Sequence, residues 1–253
     1  MIAIAALCGA VAFQAKADGV VSSDVVGYDS IGLRSGAKGV GGAFVSVSGA
    51  ELTLGDLAAI GYDAAEGYAD FQIQAKQLDP YGRGGTTYYW ADFEEEGDTY
   101  KGWYDEDMNP YNDLSLLPGE GLWVYAPNSS FQLQSAGAVS KTSIAVTLRS
   151  GAKMVSNPMP TTLQLGEITV AGYNTEDGYA DFQIQAKKLD AFGRGDTTYY
   201  WADFDEEGDT YYGWFDEDMN DYNDVEVAAG EGLWIYSPST AFSVVFPSPL
   251  VTE

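Results

Sequence analysis

The chain has 253 residues and sets 12 basic against 38 acidic side chains, a formal net charge of -26 with no histidine. Such a surface repels polyanions, so nucleic acid and anionic membranes are set aside as partners. Hydrophobic residues at 45% and aromatics at 14% exclude an acidic disordered chain, because disorder requires few groups worth burying.

Met1 to Ala17 reads as a secretory signal. Ile2 to Phe13 is an almost unbroken apolar run, and Ala15-Lys16-Ala17 supplies the small-x-small cleavage pattern before Asp18. No Lys or Arg precedes that run, and a buried N-terminal helix is the other reading of it. The run is too short to span a bilayer, so no membrane insertion is expected. Cys8 lies inside this segment and leaves the mature chain without cysteine, hence without disulfides or any familiar Cys-based metal site.

Residues 18–27 follow as an N-terminal arm. Val20, Val21, Val25 and Val26 give it strand-forming content, which suits pairing with the edge of a neighbouring subunit or with the chain's own first domain.

From there the chain repeats. Gly67 to Pro127 matches Gly178 to Pro238 without a gap at 46 of 61 positions, which reads as a duplication: residues 28–138 form one β-domain and 139–253 the second. Upstream, Leu33 to Lys38 matches Leu148 to Lys153, with four extra residues in the first copy between the two blocks. Residues 52–58 and 163–169 suit one short helical turn each. Phe71 to Ala75 and Phe131 to Gln134 alternate apolar with polar residues at the strand period of two. Thr86 to Trp90 and Leu122 to Tyr125 are strands by β-branched and aromatic content. Gly82-Arg83-Gly84, Glu96-Gly97-Asp98 and Pro118 to Gly121 are turn chemistry. The expected fold is all-β, two tandem antiparallel β-sandwiches or small barrels.

Ser150-Gly151-Ala152-Lys153-Met154-Val155-Ser156-Asn157-Pro158, followed later by Ala229-Gly230-Glu231-Gly232-Leu233-Trp234-Ile235, resembles the SGxxMVSNP…PGEGFWV β-domains of secreted verrucomicrobial and planctomycete surface proteins. The first copy keeps Pro118 to Trp123 but reads Lys38-Gly39-Val40-Gly41-Gly42 where that pattern has MVSNP. The resemblance implies an extracellular or surface role and carries no catalytic residues across.

Without histidine or mature cysteine, Ser-His-Asp, Cys-His and histidine acid-base chemistry are excluded. Glycosidase chemistry needs one carboxyl of raised pKa, and the acidic residues here sit in solvated clusters such as Glu94-Glu95-Glu96. Two ligand sites stand out. Asp105, Asp107, Asn109 and Asp113, repeated as Asp216, Asp218, Asn220 and Asp224, place oxygens at relative positions 1, 3, 5 and 9, the spacing of a calcium loop. The pattern resembles part of an EF-hand but lacks the glycine at position 6 and the glutamate at position 12; the competing reading is a solvated acidic hairpin with Asx turns. Trp90, Trp103, Trp201 and Trp214 stack on sugar rings if they face outward and fill the core if they face inward.

The sequence therefore reads as a secreted, non-enzymatic, extracellular or cell-surface structural protein that self-assembles into a fibre or layer, with itself as the main partner. Polysaccharide binding through aromatics is the alternative function, and calcium the one candidate cofactor.

Overall fold

The computed structural model describes residues 26–33, 36–42, 52–61, 73–78, 84–126, 131–148, 151–172, 184–189, 195–237 and 241–250. These residues form an all-β structure without an α-helix, and no helix among them is long and apolar enough to cross a membrane. The positions Val20, Val21 and Val25 lie outside the described residues.

The first half contains β1 (Val26–Leu33), β2 (Gly36–Val40), β3 (Leu52–Thr53), β4 (Ala58–Ile60), β5 (Gln74–Leu78), β6 (Gly84–Glu95), β7 (Asp98–Tyr104), β8 (Ser115–Leu116), β9 (Leu122–Ala126) and β10 (Phe131–Ala138). The second contains β11 (Ile144–Leu148), β12 (Gly151–Ser156), β13 (Leu163–Gln164), β14 (Thr169–Ala171), β15 (Gln185–Leu189), β16 (Gly195–Glu206), β17 (Asp209–Phe215), β18 (Glu226–Val227), β19 (Gly232–Ser237) and β20 (Phe242–Phe246). The strand orders are the same in both: β1-β10-β4 with β2-β9-β5-β6-β7 and the pair β3-β8, then β11-β20-β14 with β12-β19-β15-β16-β17 and β13-β18. All these pairings are antiparallel. The short helical turns expected near residues 52–58 and 163–169 are 3-10 turns at Leu54–Asp56 and Leu165–Glu167.

The period of two decides the cores. In β10 the pattern buries Phe131 and Leu133 and exposes Gln132. These meet Ile73, Ala75, Tyr88, Trp90, Trp103, Leu122 and Val124 from the five-stranded sheet, so one apolar cluster fills the space between the sheets. A matching cluster of Phe242, Val244, Ile184, Ala186, Tyr199, Trp201, Trp214, Leu233 and Ile235 fills the second half.

One knot closes each half. The Trp103 indole N–H donates to the Leu57 carbonyl at 2.7 Å, and the Trp103 backbone N–H donates to Asn112 Oδ1 at 2.8 Å. The Asn112 carbonyl accepts from Gly55 at 2.9 Å, and the Tyr111 N–H donates back to the Trp103 carbonyl at 2.8 Å. Gly102, at φ +126, leaves the room: a Cβ there would lie 2.1 Å from Asn112 Oδ1. Trp214, Ile168, Asn223 and Gly213 repeat the arrangement, with 2.7 and 2.8 Å bonds.

Val26 belongs to β1 and faces Ala138 of the same half, so its pairing is internal and the first domain begins no later than Val26. Of the two pairings the sequence left open for Val26, the structure has the internal one: its β1 register with β10 runs unbroken from Val26 to Leu33.

The two halves meet along a reciprocal seam. Gly41 N–H donates to the Gly230 carbonyl at 2.9 Å, and Ser156 N–H donates to the Gly119 carbonyl at 2.9 Å. Bridges join Val40 to Glu231 and Glu120 to Val155. Residues 40 and 155, 41 and 156, 119 and 230, and 120 and 231 are equivalent in the repeat, so the halves are related by an approximate two-fold. Lys153 adds an ion pair to Glu120 across the seam at 3.4 Å.

Removing Asn112 Oδ1 leaves a buried strand amide without an acceptor. Asn112→Ala and Trp103→Phe are each expected to lower stability by about 1–3 kcal/mol, the cost of an unmade buried hydrogen bond. Urea denaturation of the full chain checks this, and midpoints equal to the parent's would remove the knot from the account.

Candidate functional site

The start of β6 and the loop after β7 face each other across a polar cup. In the first half it is lined by Thr86, Thr87 and Tyr89 on one side and Asp105, Glu106, Asp107 and Tyr111 on the other, with a volume of about 310 Å³. In the second half Thr197, Thr198, Tyr200, Asp216, Glu217, Asp218 and Tyr222 line the equivalent cup of about 250 Å³. Every one of these positions matches its counterpart in the repeat. The cup is polar, with hydroxyls and carboxylates beside a tyrosine wall.

The acidic wall is built by Asp105. Its Oδ1 accepts from the Asp107 N–H at 3.0 Å and the Asn109 N–H at 2.9 Å, and its Oδ2 accepts from the Asn109 carboxamide at 3.0 Å. Backbone bonds from Asp105 N–H to Asn109 O at 3.0 Å and from Met108 N–H to Asp105 O at 3.1 Å close the loop. This holds Met108 at φ 64, a left-handed conformation that a bulky residue rarely adopts unless its surroundings fix it. Asp216, Asp218 and Asn220 repeat the bonds at 2.9 Å, with Met219 at φ 63. The Asn109 carboxamide lowers the Asp105 carboxyl pKa below its ordinary value; the backbone amides of Asn109 and Asp107 add to this and desolvation opposes it. Asn220 does the same for Asp216.

The 1, 3, 5, 9 spacing therefore produces an Asx-capped loop. Asp105 faces its own loop's amides, and Asp113 is not among the residues lining the cup. In the second half Asp224 lines a different cavity, of about 590 Å³, together with Gln164, Glu167, Tyr212 and Asp221. Among the described residues no group of three or more Asp or Glu side chains converges as a metal site.

The tryptophans take the inward of the two placements that the sequence left open. Trp90 is 3% exposed, and Trp103, Trp201 and Trp214 are 0% exposed. They pair edge to face at 5.4 Å and 5.5 Å inside the two cores. This corrects the outward reading, and the cause is register: β6 sends Tyr88 and Trp90 to the core and Tyr89 to the opposite face. That opposite face carries its own aromatics. Phe93 stacks on Tyr100 at 5.0 Å and Tyr100 meets Tyr104 at 6.0 Å, repeated as Phe204 with Tyr211 and Tyr211 with Phe215. Tyr89 and Tyr200 belong to the same aromatic run, and alternation within Thr-Thr-Tyr-Tyr-Trp separates them from the core once Trp90 is known to point inward.

No protein family, curated protein or solved structure matches this chain.

Two measurements test the loop. Asp105→Ala combined with Asp216→Ala is expected to lower Tm at neutral pH. A carboxyl whose folded pKa lies below its unfolded value contributes stability that is present above the unfolded value, about 3.9, and is lost as pH falls through the folded one. The Tm gap between parent and variant should thus shrink below about pH 4. Because the Asp105 oxygens are already bonded, melts in calcium and in magnesium at equal ionic strength should coincide; a calcium-specific rise in Tm would mean that the loop opens to bind metal.

Proposed function

We propose that the protein is an exported, non-enzymatic structural protein of the cell surface or extracellular space, and that it self-associates into a filament or layer. The observation that carries this reading is its pair of equal outer edges. β7 and β17 are the last strands of their five-stranded sheets, and each has a sheet neighbour on one side only. An antiparallel edge strand directs alternate backbone groups outward. Trp103 N–H points outward to Asn112, so by alternation the N–H groups of Thr99 and Lys101 also point outward, as do those of Thr210 and Tyr212. Two such edges related by an approximate two-fold give one chain two equivalent places to add a neighbour's strand.

The chemistry agrees. Among the described residues the two carboxyls whose pKa is displaced, Asp105 and Asp216, move downward, the wrong direction for a general acid. Glu94, Glu95, Glu96 and Asp98 at the hairpin tip beside the edge are exposed, so assembly requires salt or divalent cations to screen them.

Light scattering and electron microscopy of the full chain test the reading. Monomers are expected at low ionic strength and larger assemblies as salt or calcium rises. Thr99→Pro with Thr210→Pro removes an outward donor from each edge without breaking a backbone bond to β6 or β16; it gives up the 2.6 Å bond from the Thr210 hydroxyl to Asp205, and should abolish assembly while the chain stays folded. A parent chain that stays monomeric in every condition defeats the proposal.

The twin cups favour a second reading, binding of a neutral polysaccharide. Their volumes sit at the small end of ligand pockets, about 300 Å³, and their hydroxyls, carboxylates and tyrosine suit the polar and apolar faces of a single sugar ring. Tyr89→Ala with Tyr200→Ala is expected to abolish retention on a glycan that holds the parent; if no glycan retains the parent, this second reading fails.

A further inference from the structure

The seam between the halves carries a device beyond either function. Gly39-Val40-Gly41-Gly42 of the first half stands where the second has Met154-Val155-Ser156-Asn157: the valine is shared, the other three positions differ, and residues 39–41 and 154–156 meet across the seam. Their equivalence is fixed by pairing, since β2 sets Gly39 opposite Trp123 and Val40 opposite Leu122, and β12 sets Met154 opposite Trp234 and Val155 opposite Leu233.

We infer that this seam is a heterotypic lock: Gly39 and Gly41 of the first half form the receptor for Met154 and Ser156 of the second, so that only unlike halves can pair. At a two-fold contact, residues near the axis face their own equivalents. A Cβ on Gly39 would lie 2.5 Å from Met154 Sδ and 2.9 Å from Cε. A Cβ on Gly41 would lie 2.1 Å from Ser156 Oγ, 2.7 Å from its Cβ and 2.6 Å from the Glu120 carbonyl oxygen. The side chains of one half therefore occupy the space the glycines of the other leave open.

Like halves cannot reproduce this. Two copies of the second half would bring Met154 against Met154 and Ser156 against Ser156 in room sized for one of each, which is overpacking. Two copies of the first would leave a void the size of a methionine at the centre of the contact. The first half also lacks the bond that Ser156 Oγ donates to the Glu120 carbonyl at 3.1 Å, for which Gly41 has no hydroxyl.

What the halves share provides attraction, and what they do not share provides choice. The shared part is the two backbone hydrogen bonds, Val40 and Val155, and the Gly-Glu-Gly turns. Glycine is required in those turns on both sides: a Cβ on Gly232 would lie 2.5 Å from the Gly39 carbonyl carbon, and one on Gly121 would lie 2.6 Å from Met154 Cγ and 2.9 Å from the Val155 oxygen. The partner that fits the Gly39 surface is thus a domain bearing a Met-Val-Ser strand and a Gly-Glu-Gly turn, which within this chain is its own second half. Any contact between chains through these surfaces must join a first half to a second half.

The test uses the full chain. Gly39→Met should separate the halves, read as a rise in the radius of gyration by small-angle X-ray scattering and as two unfolding transitions, with one expected for the parent. Gly39→Met with Met154→Gly exchanges knob and hole and should return both readouts to the parent's values. Position 154 holds methionine on the equivalent strand, so the fold accommodates that side chain there. If Gly39→Met unfolds the first half instead, recovery of the fold on adding Met154→Gly still reports the lock. A Gly39→Met chain indistinguishable from the parent, or a double variant no better than the single, overturns the inference.

Discussion

The knot around Trp103 and Trp214 is the constraint on which the rest of each half depends. A tryptophan can be buried completely only if its N–H finds an acceptor, and the acceptor here is a carbonyl at the exit of the 3-10 turn, Leu57 or Ile168. That bond fixes the turn against the edge of the five-stranded sheet and so sets where the sheet ends. The same residue's backbone N–H would otherwise be an outward donor on an edge strand, and Asn112 or Asn223 satisfies it. Asn112 lies seven residues after Asp105, so anchoring it determines where the acidic loop returns, and with that the wall of the cup. Core packing and site geometry are therefore one problem in this fold: the cup is shaped by the group that seals the core.

The charge of the chain is distributed in a way that this architecture permits. Glutamates and aspartates gather at the hairpin tips, where Glu96 at φ 53 and Gly97 at φ 95 make a two-residue turn whose twist suits the strands it joins. They stay solvated there and repel one another weakly. The acids that are partly covered have defined duties. Glu231 accepts from the Ala228 N–H at 3.0 Å and pairs with Lys188 at 3.0 Å, so it closes its own turn and neutralises its charge at once. Glu120 does the equivalent through the Leu117 N–H at 3.3 Å and, across the seam, through Lys153. A surface ion pair of this kind contributes little by itself, about 0–1 kcal/mol. Its value here is positional, because the glutamate sits between the two glycines that let the halves approach.

Much of the fold was legible because it rests on period and turn chemistry. Phe131 to Gln134 and Leu122 to Tyr125 announce strands, and Glu-Gly-Asp announces the hairpin that joins β6 to β7. What the sequence could not supply was sidedness. In Thr-Thr-Tyr-Tyr-Trp any register places one ring on each face, and only the partner strand decides that Trp90 goes inward with Trp103 while Tyr89 goes to the cup. The acidic loop is ambiguous for a related reason. Asp, Asp and Asn at alternate positions make the same pattern whether their oxygens converge on a cation or accept the loop's own amides, and here Asp105 and Asp216 accept the amides. Where calcium loops place glycine for the sharp turn, Pro110 and Asp221 stand, and the left-handed residue is Met108 or Met219 instead.

The four positions at the seam show how a repeated surface acquires direction. In the second half Asn157 is 0% exposed and fully bonded: its carboxamide donates to the carbonyls of Thr161 at 2.9 Å and Val227 at 3.0 Å, and its Oδ1 accepts from the Met159 N–H at 3.0 Å. It organises the chain leaving β12 against its own Gly-Glu-Gly turn. The first half has Gly42 in that place and gives up those bonds. The loss is understandable only if Gly39 and Gly41 serve the partner and not their own domain, since a strand of glycines is a poor strand by propensity and packs nothing of its own. Glycine at positions 39 and 41 weakens the first half locally and removes the collision that two identical halves would meet across their axis. The departure from the Met-Val-Ser-Asn pattern, which looks like decay when the first half is read alone, is a complementary surface when both halves are read together.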